Sequence, residues 1–194
     1  ELHLLDCTID TYSFDEPIDS SDMNPDHWIT IAEVIEKNYE AFDGFVVLHG
    51  SDTMSYTASA LSFMLKNLAK PVILTGSQLP IGDLRTDAKE NLITSIQLAA
   101  IHKQGKPIIQ EVCIYFEYKL FRANRATKIN AENFDPFESP NYPIIGVSGV
   151  HLEIKENLLL HKISNGKLSF NKNLNADVGV LKIFPGMNRQ FIES

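Results

Sequence analysis

Apolar positions along the chain alternate between short β-prone runs and longer stretches with helical spacing. Phe45-Val46-Val47-Leu48, Pro71-Val72-Ile73-Leu74-Thr75 and Val112-Cys113-Ile114-Tyr115-Phe116 are continuous apolar runs of the kind buried on both faces of a sheet. Leu2-His3-Leu4-Leu5-Asp6-Cys7-Thr8 is apolar enough for a strand ahead of them. Helical periodicities lie between these runs. Trp28, Ile31, Ala32, Ile35, Tyr39 and Phe42 recur at threes and fours, after Asn24 as cap and Pro25 in the first turn. Leu61, Met64, Leu65 and Leu68 give the same spacing to the stretch from Thr53 to Lys66 and just beyond. Asp87 with Glu90 forms a capping-box pattern before a helix with Leu92, Ile96, Ala99 and Ala100 on one face. The order β-α-β-α-β-α-β predicts an α/β fold: an open, Rossmann-like parallel sheet flanked by helices, with right-handed crossovers.

After about Ala131 the pattern changes. Pro136, Pro140 and Pro143 break the chain into loop. His151-Leu152-Glu153-Ile154 and Leu158-Leu159-Leu160-His161 read as short strands with Asn165-Gly166 as a turn, a β-hairpin insertion near 150–170. Asp177 to Ile183 reads as a last strand, and Asn188 opens a helix. The expected organisation is one α/β domain over 1–184, followed by a linker or helix start over 185–194.

Composition narrows the functional classes. A formal net charge of −8 argues against nucleic acid, because phosphate binding requires clustered Lys and Arg. The basic cluster from Lys119 to Lys128 is interrupted by Leu120, Phe121, Ala123, Asn124, Ala126 and Thr127. No apolar run is long enough to span a bilayer, and no secretory signal opens the chain. Cys7 and Cys113 read as reduced, buried thiols, which points to the cytoplasm. The six histidines show no metal-ligand spacing, so no metal site is expected.

The candidate chemistry lies in His49-Gly50-Ser51-Asp52-Thr53-Met54, at the carboxyl end of a strand and just before a helix. Open α/β sheets bind ligands in that crevice, and the helix N–H groups favour anions. Ser51 and Asp52 are also common helix caps. Asp19-Ser20-Ser21-Asp22 reads on its own as a solvent loop, Lys128 as a solvated lysine, and His49 and Trp28 as core residues.

Four segments then take on a joint meaning. His49 to Met54, followed by Ala58-Ser59-Ala60-Leu61, resembles the H-G-T-D-T-M signature of the asparaginase/glutaminase family. Pro71 to Gln78 resembles the strand and loop that follow it, and Asp19 to Met23 the substrate-cradling loop. Phe121 to Lys128 resembles the segment bearing the catalytic lysine. The match runs in order along nearly the whole chain and is nearest to cytoplasmic type I asparaginases. The resemblance implies hydrolysis of L-asparagine to L-aspartate and ammonia, without a cofactor, by a homo-oligomer. It implies a proton-handling triad of Ser51, Asp52 and Lys128. It also implies that Asp52 binds the substrate's α-amino group while Asp19, Ser20 and Ser21 hold its α-carboxylate and amine.

Two departures qualify this. Ser51 stands where the family has Thr, which keeps the hydroxyl but loses the β-methyl that fixes its rotamer. The family's Gly-Gly-Thr-Ile turn, bearing the threonine assigned as nucleophile, and its C-terminal domain have no counterpart in these residues. The expectation is therefore a fragment that is inactive or nearly so. The alternatives are a glutaminase, the amidase subunit of a tRNA-dependent amidotransferase, which the acidic balance disfavours, or a non-catalytic amino-acid-binding relative.

Overall fold

The computed structural model describes residues 5–131, 133–160 and 168–190. The helices are α1 (Pro25–Asn38), α2 (Met54–Met64) and α3 (Ala88–Ala100). The longer strands and the two that close the sheet are interleaved with short bridges. In chain order they are β1 (Phe45–Leu48), β2 (Leu65–Lys66), β3 (Val72–Thr75), β4 (His102–Lys103), β5 (Lys106–Pro107) and β6 (Val112–Phe116). β7 (Lys119–Arg122), β8 (Thr127–Lys128), β9 (Phe137–Glu138), β10 (Gly146–Ser148), β11 (Leu152–Ile154) and β12 (Ser169–Phe170) follow.

Six strands make one sheet in the order β1-β3-β6-β7-β10-β11. β1, β3 and β6 are parallel, as helical connections require, and β7, β10 and β11 continue the sheet antiparallel. Successive strand residues face opposite sides. Val72, Leu74, Val112, Ile114 and Phe116 pack with α1 and α2 through Ile31, Ile35, Met54, Ala58 and Leu61. Ile73, Cys113 and Tyr115 pack on the other side with Leu98 and Ala99 of α3.

That division carries a topological consequence. The path β1-α2-β3 and the path β3-α3-β6 step in the same direction across parallel strands, yet their helices cover opposite faces. The two crossovers are therefore of opposite hand, and the uniformly right-handed expectation does not hold. The connections leaving β1 and β3 diverge to opposite sides, so a crevice opens at the carboxyl ends of these two neighbours.

Several local expectations change in the folded chain. Asn24 does cap α1, its Oδ1 accepting from the N–H groups of Asp26 and His27. Asp87 does not form a capping box. Its carboxylate accepts from the backbone N–H of Gln78 and Leu79 and from Asn91 Nδ2, and Thr86 Oγ1 takes the Ala88 N–H instead. The buried side of α3 includes Asn91, Thr94 and Ser95, because Glu90 and Asn91 bond to Tyr115 and Glu117 across it. α2 stops at Met64, where Leu65 and Lys66 pair with β12.

Leu5–Thr8 form no strand, and Leu5, Asp6 and Cys7 line a cleft with Gln97, Ala100 and Leu152. The insertion hairpin is β10–β11, earlier than 150–170, and Leu158 closes a 3-10 turn over Glu156–Leu158 rather than opening a strand. Asp177–Ile183 are irregular; Val180 is 97% exposed and has no neighbouring strand among the described residues. β propensity without a partner edge yields no strand. Leu2–Leu4, His161, the Asn165-Gly166 turn and most of the helix from Asn188 lie outside the described residues.

The β6–β7 turn is built from Glu117 (φ 44°) and Tyr118 (φ 65°), side chains that tolerate positive φ poorly. The Glu117 N–H is held by Asn91 Oδ1 at 3.0 Å. Burial, then Asp87, Glu90 and Asp135, push the Glu117 carboxyl above its usual range. Replacing Glu117-Tyr118 by Asn-Gly should stabilise the protein by about 1 kcal/mol, read as a higher urea midpoint with unchanged m-value.

Candidate active site

The crevice between β1 and β3 is drawn tight by two glycines. A Cβ on Gly76 would lie 2.2 Å from the His49 carbonyl oxygen, and the His49 N–H donates to Thr75 O at 2.8 Å. A Cβ on Gly50 would meet Ser20 Oγ at 2.4 Å. The first glycine brings the turns after β1 and β3 together. The second seats the Asp19–Asp22 turn on the first of them.

Within this crevice the Lys128 Nζ donates to Ser51 Oγ at 3.0 Å and to Asp52 Oδ1 at 2.7 Å. Three groups spread over 78 positions thus meet at one point. Lys128 reaches it because the 3-10 turn Ala123–Arg125 packs Ala123 and Ala126 under α2 and leads into β8, which bears the lysine. Its side chain is 13% exposed, whereas that of Asp52 is 62% exposed, so the pair straddles the protein surface. Neither Ser51 nor Asp52 caps α2. Thr53 holds the cap position without a side-chain cap bond and gives its hydroxyl to Ser20 O at 2.5 Å.

The Asp19–Asp22 segment is a short 3-10 turn rather than open loop. Ser20 is buried against Gly50, beside the Ser51 turn. Asp19 and Ser21 bond to each other, and among the described residues neither reaches Ser51, Asp52 or Lys128. The Ser21 N–H and hydroxyl hold the Asp19 carboxyl below its usual value.

Sequence reasoning gave Gln78, Asn91 and Thr57 no role of their own and read Asp87 only as a helix cap. Ser51 Oγ donates to Gln78 Oε1 at 2.8 Å, and Asp87 grips the Gln78 backbone N–H. Asn91 Nδ2 binds Gly76 O at 3.0 Å. The usable signal was the adjacency of β1 and β3, which places the Gln78 loop beside Ser51. His49 is a packed histidine, as expected. Its Nδ1 lies 2.7 Å from Gly50 O and its Nε2 2.8 Å from Thr57 Oγ1, which also accepts from Trp28 Nε1. A carbonyl can only accept, so Nδ1 carries the proton and Nε2 takes the Thr57 hydroxyl.

Burial holds the His49 imidazole below its usual 6.5, against the opposing bond to Gly50. On acidification the unfolded chain takes up this proton first. The His49 contribution to stability is therefore present above about pH 6.5 and lost as pH falls towards the folded value. Urea unfolding on either side of that pH should show a shallower acid-side loss in His49→Gln than in the parent.

Among the described residues no helix is long and apolar enough to cross a membrane, and no cluster of His, Cys, Asp or Glu is placed to hold a metal. A family model described as "Asparaginase, N-terminal" matches residues 5–160. L-asparaginase 1 of Escherichia coli K12 is 44% identical over 177 residues, covering 91% of this chain and 51% of that protein. The 60 kDa lysophospholipase of Mus musculus is 42% identical over 176 residues, covering 91% of this chain and 30% of that one. The crystal structure of L-asparaginase I from Vibrio cholerae O1 biovar eltor superimposes with a TM-score of 0.84 at 42% identity, over 93% of this chain and 53% of that one. The chain thus spans about half the length of the two bacterial L-asparaginases and under a third of the lysophospholipase. Family match, sequence identity and superposition agree: this chain belongs to the asparaginase family, its residues 5–160 matching the family's N-terminal model.

Proposed function

We propose that the protein hydrolyses the side-chain amide of L-asparagine to L-aspartate and ammonia, as a homo-oligomer in the cytoplasm, without metal or cofactor. The observation that carries this reading is the convergence of the Lys128 ammonium on Ser51 Oγ and Asp52 Oδ1. The free thiols Cys7 and Cys113 support the compartment, and the acidic charge favours a small-molecule substrate over tRNA.

Amide hydrolysis needs an attacking hydroxyl, stabilisation of the oxyanion and a proton for the departing nitrogen. In this reading the attacking threonine comes from the family's Gly-Gly-Thr turn, and these residues handle the proton. Ser51 gives its hydroxyl proton to the leaving nitrogen and takes one from Lys128 Nζ, and Lys128 takes the proton that the attacking threonine loses, so that ammonia departs and the ammonium is restored. Water then cleaves the acyl intermediate, its hydroxide going to the acyl carbon and its proton to the threonine oxygen, which frees aspartate and the threonine. Asp52 bonds Lys128 through Oδ1, and in this reading its other oxygen receives the substrate's α-ammonium. In the same reading Asp19, Ser20 and Ser21, on the neighbouring turn, hold the substrate's α-carboxylate and amine.

Ammonia release from L-asparagine and L-glutamine, with a lysophospholipid ester in parallel, tests the reading on the product of the full reading frame that encodes this chain. Asparagine turnover exceeding the other two supports it. Absence of ammonia from either amide, with aspartate still bound by calorimetry, would favour a binding protein instead.

A further inference from the structure

The proton on Ser51 Oγ has a defined direction, and a residue outside the triad sets it. The hydroxyl has one proton to give. Lys128 Nζ, at 3.0 Å, can only donate, so Ser51 must accept on that side. Its own proton therefore goes to Gln78 Oε1 at 2.8 Å. The carboxamide cannot turn over, because its Nε2 donates to Asn133 O at 2.9 Å and to Ala131 O at 3.3 Å. A flip would set Oε1 against two carbonyl oxygens. At its other end the Gln78 N–H is held by both oxygens of buried Asp87, at 3.0 and 2.9 Å. Gln78 is thus fixed at backbone and side chain, and it joins Ser51 to the segment that follows Lys128.

We propose that Gln78 is a positioning residue: its carboxamide fixes the direction of the Ser51 hydroxyl and holds the Lys128-bearing segment against it. The proposal rests on the amide-hydrolysis reading of this site. In the resting arrangement the Ser51 lone pair faces Lys128 and the proton faces Gln78. Substrate must draw that proton from Gln78 onto the leaving nitrogen, so Gln78 sets the starting point of the transfer. It touches the relay and not the substrate.

The test measures the titration of Lys128 in the full 194-residue chain. Competitive labelling with acetic anhydride across pH, read by mass spectrometry, reports the Lys128 midpoint in the parent, Gln78→Glu and Gln78→Met. Gln104→Glu on the exposed β4–β5 turn serves as a charge control. A carboxylate at Gln78 Oε1 would lie within about 6 Å of Nζ, joined to it through Ser51; the other carboxylate bonded to Lys128, that of Asp52, is unchanged. The Lys128 midpoint in Gln78→Glu should rise by about one pH unit and stay unmoved in Gln104→Glu. In the full reading frame Gln78→Met should lower kcat roughly 10–100-fold with little change in KM.

A Lys128 midpoint in Gln78→Glu equal to that of Gln104→Glu, in chains that keep the parental circular dichroism, overturns the proposal. So does Gln78→Met with parental kcat. If the midpoint rises but no protein hydrolyses either amide, the positioning role stands and the amide-hydrolysis reading falls.

Discussion

Glu111→Ala should lower the free energy of unfolding by about 3–5 kcal/mol, the range for removing one partner of a buried ion pair. The Glu111 side chain is 2% exposed and that of Arg122 11%, with Arg122 Nε 2.7 Å from Glu111 Oε2. The second carboxylate oxygen accepts the Leu160 N–H at 2.7 Å. Arg122 also donates to Leu158 O at 2.8 Å and lies over the Tyr142 ring, whose hydroxyl reaches the same carbonyl. One carboxylate thus ties the segment after β11 to the sheet. Its loss leaves a desolvated guanidinium and an unpaired amide. In thermal unfolding the midpoint should fall by roughly 10 °C, and Glu111→Ala/Arg122→Ala should cost less than the sum of the single variants. Lys103→Ala makes the contrast: its partner Glu156 is exposed, so the loss should stay under about 1 kcal/mol. A small effect at Glu111 would mean that the pair is hydrated and the segment held by other contacts.

Lys128→Met should abolish most amide hydrolysis in the product of the full reading frame while barely altering stability. Removing a positioned proton donor costs about 10²–10⁴-fold in kcat. Asp52, its carboxylate partner, is 62% exposed, so breaking the pair should cost under about 1 kcal/mol. Lys128→Arg separates charge from proton transfer: guanidinium keeps the ion pair but does not release its proton at neutral pH. It should retain aspartate binding and lose turnover. Parental turnover in Lys128→Met would remove the lysine from the mechanism.

Much of this architecture is legible in local pattern. The runs at 45–48, 72–75 and 112–116 are apolar enough to be strands wherever they land, the last two buried throughout and the first half-buried at the sheet's end, and Asn24-Pro25 fixes the start of α1 through chemistry within four residues. What local pattern misses depends on distant partners. Asp87 and Glu90 have capping-box spacing, but the Gln78 loop and Tyr115 offer their carboxylates other donors. Asp177–Ile183 has strand composition and no strand edge to join among the described residues. β7 is hidden because its short Lys-Leu-Phe-Arg run follows a turn without glycine or asparagine, one that Asn91 supports from α3. At the site, the meeting of Ser51, Asp52 and Lys128 was anticipated only through family resemblance, since no periodicity links positions so far apart. Gln78 required knowledge of which strands are neighbours.

The two bonds made by Ser51 close loops of unequal size, and this bears on how the chain acquires its chemistry during synthesis. The contact with Gln78 spans 27 residues and can form once β1 and β3 have paired. The contact with Lys128 spans 77 and waits for β6, β7 and the turn beyond them. A ribosome-bound chain halted before β8 would present the serine without its ammonium and beside a glutamine whose carboxamide Ala131 and Asn133 have yet to fix, so both halves of the arrangement wait for the same segment.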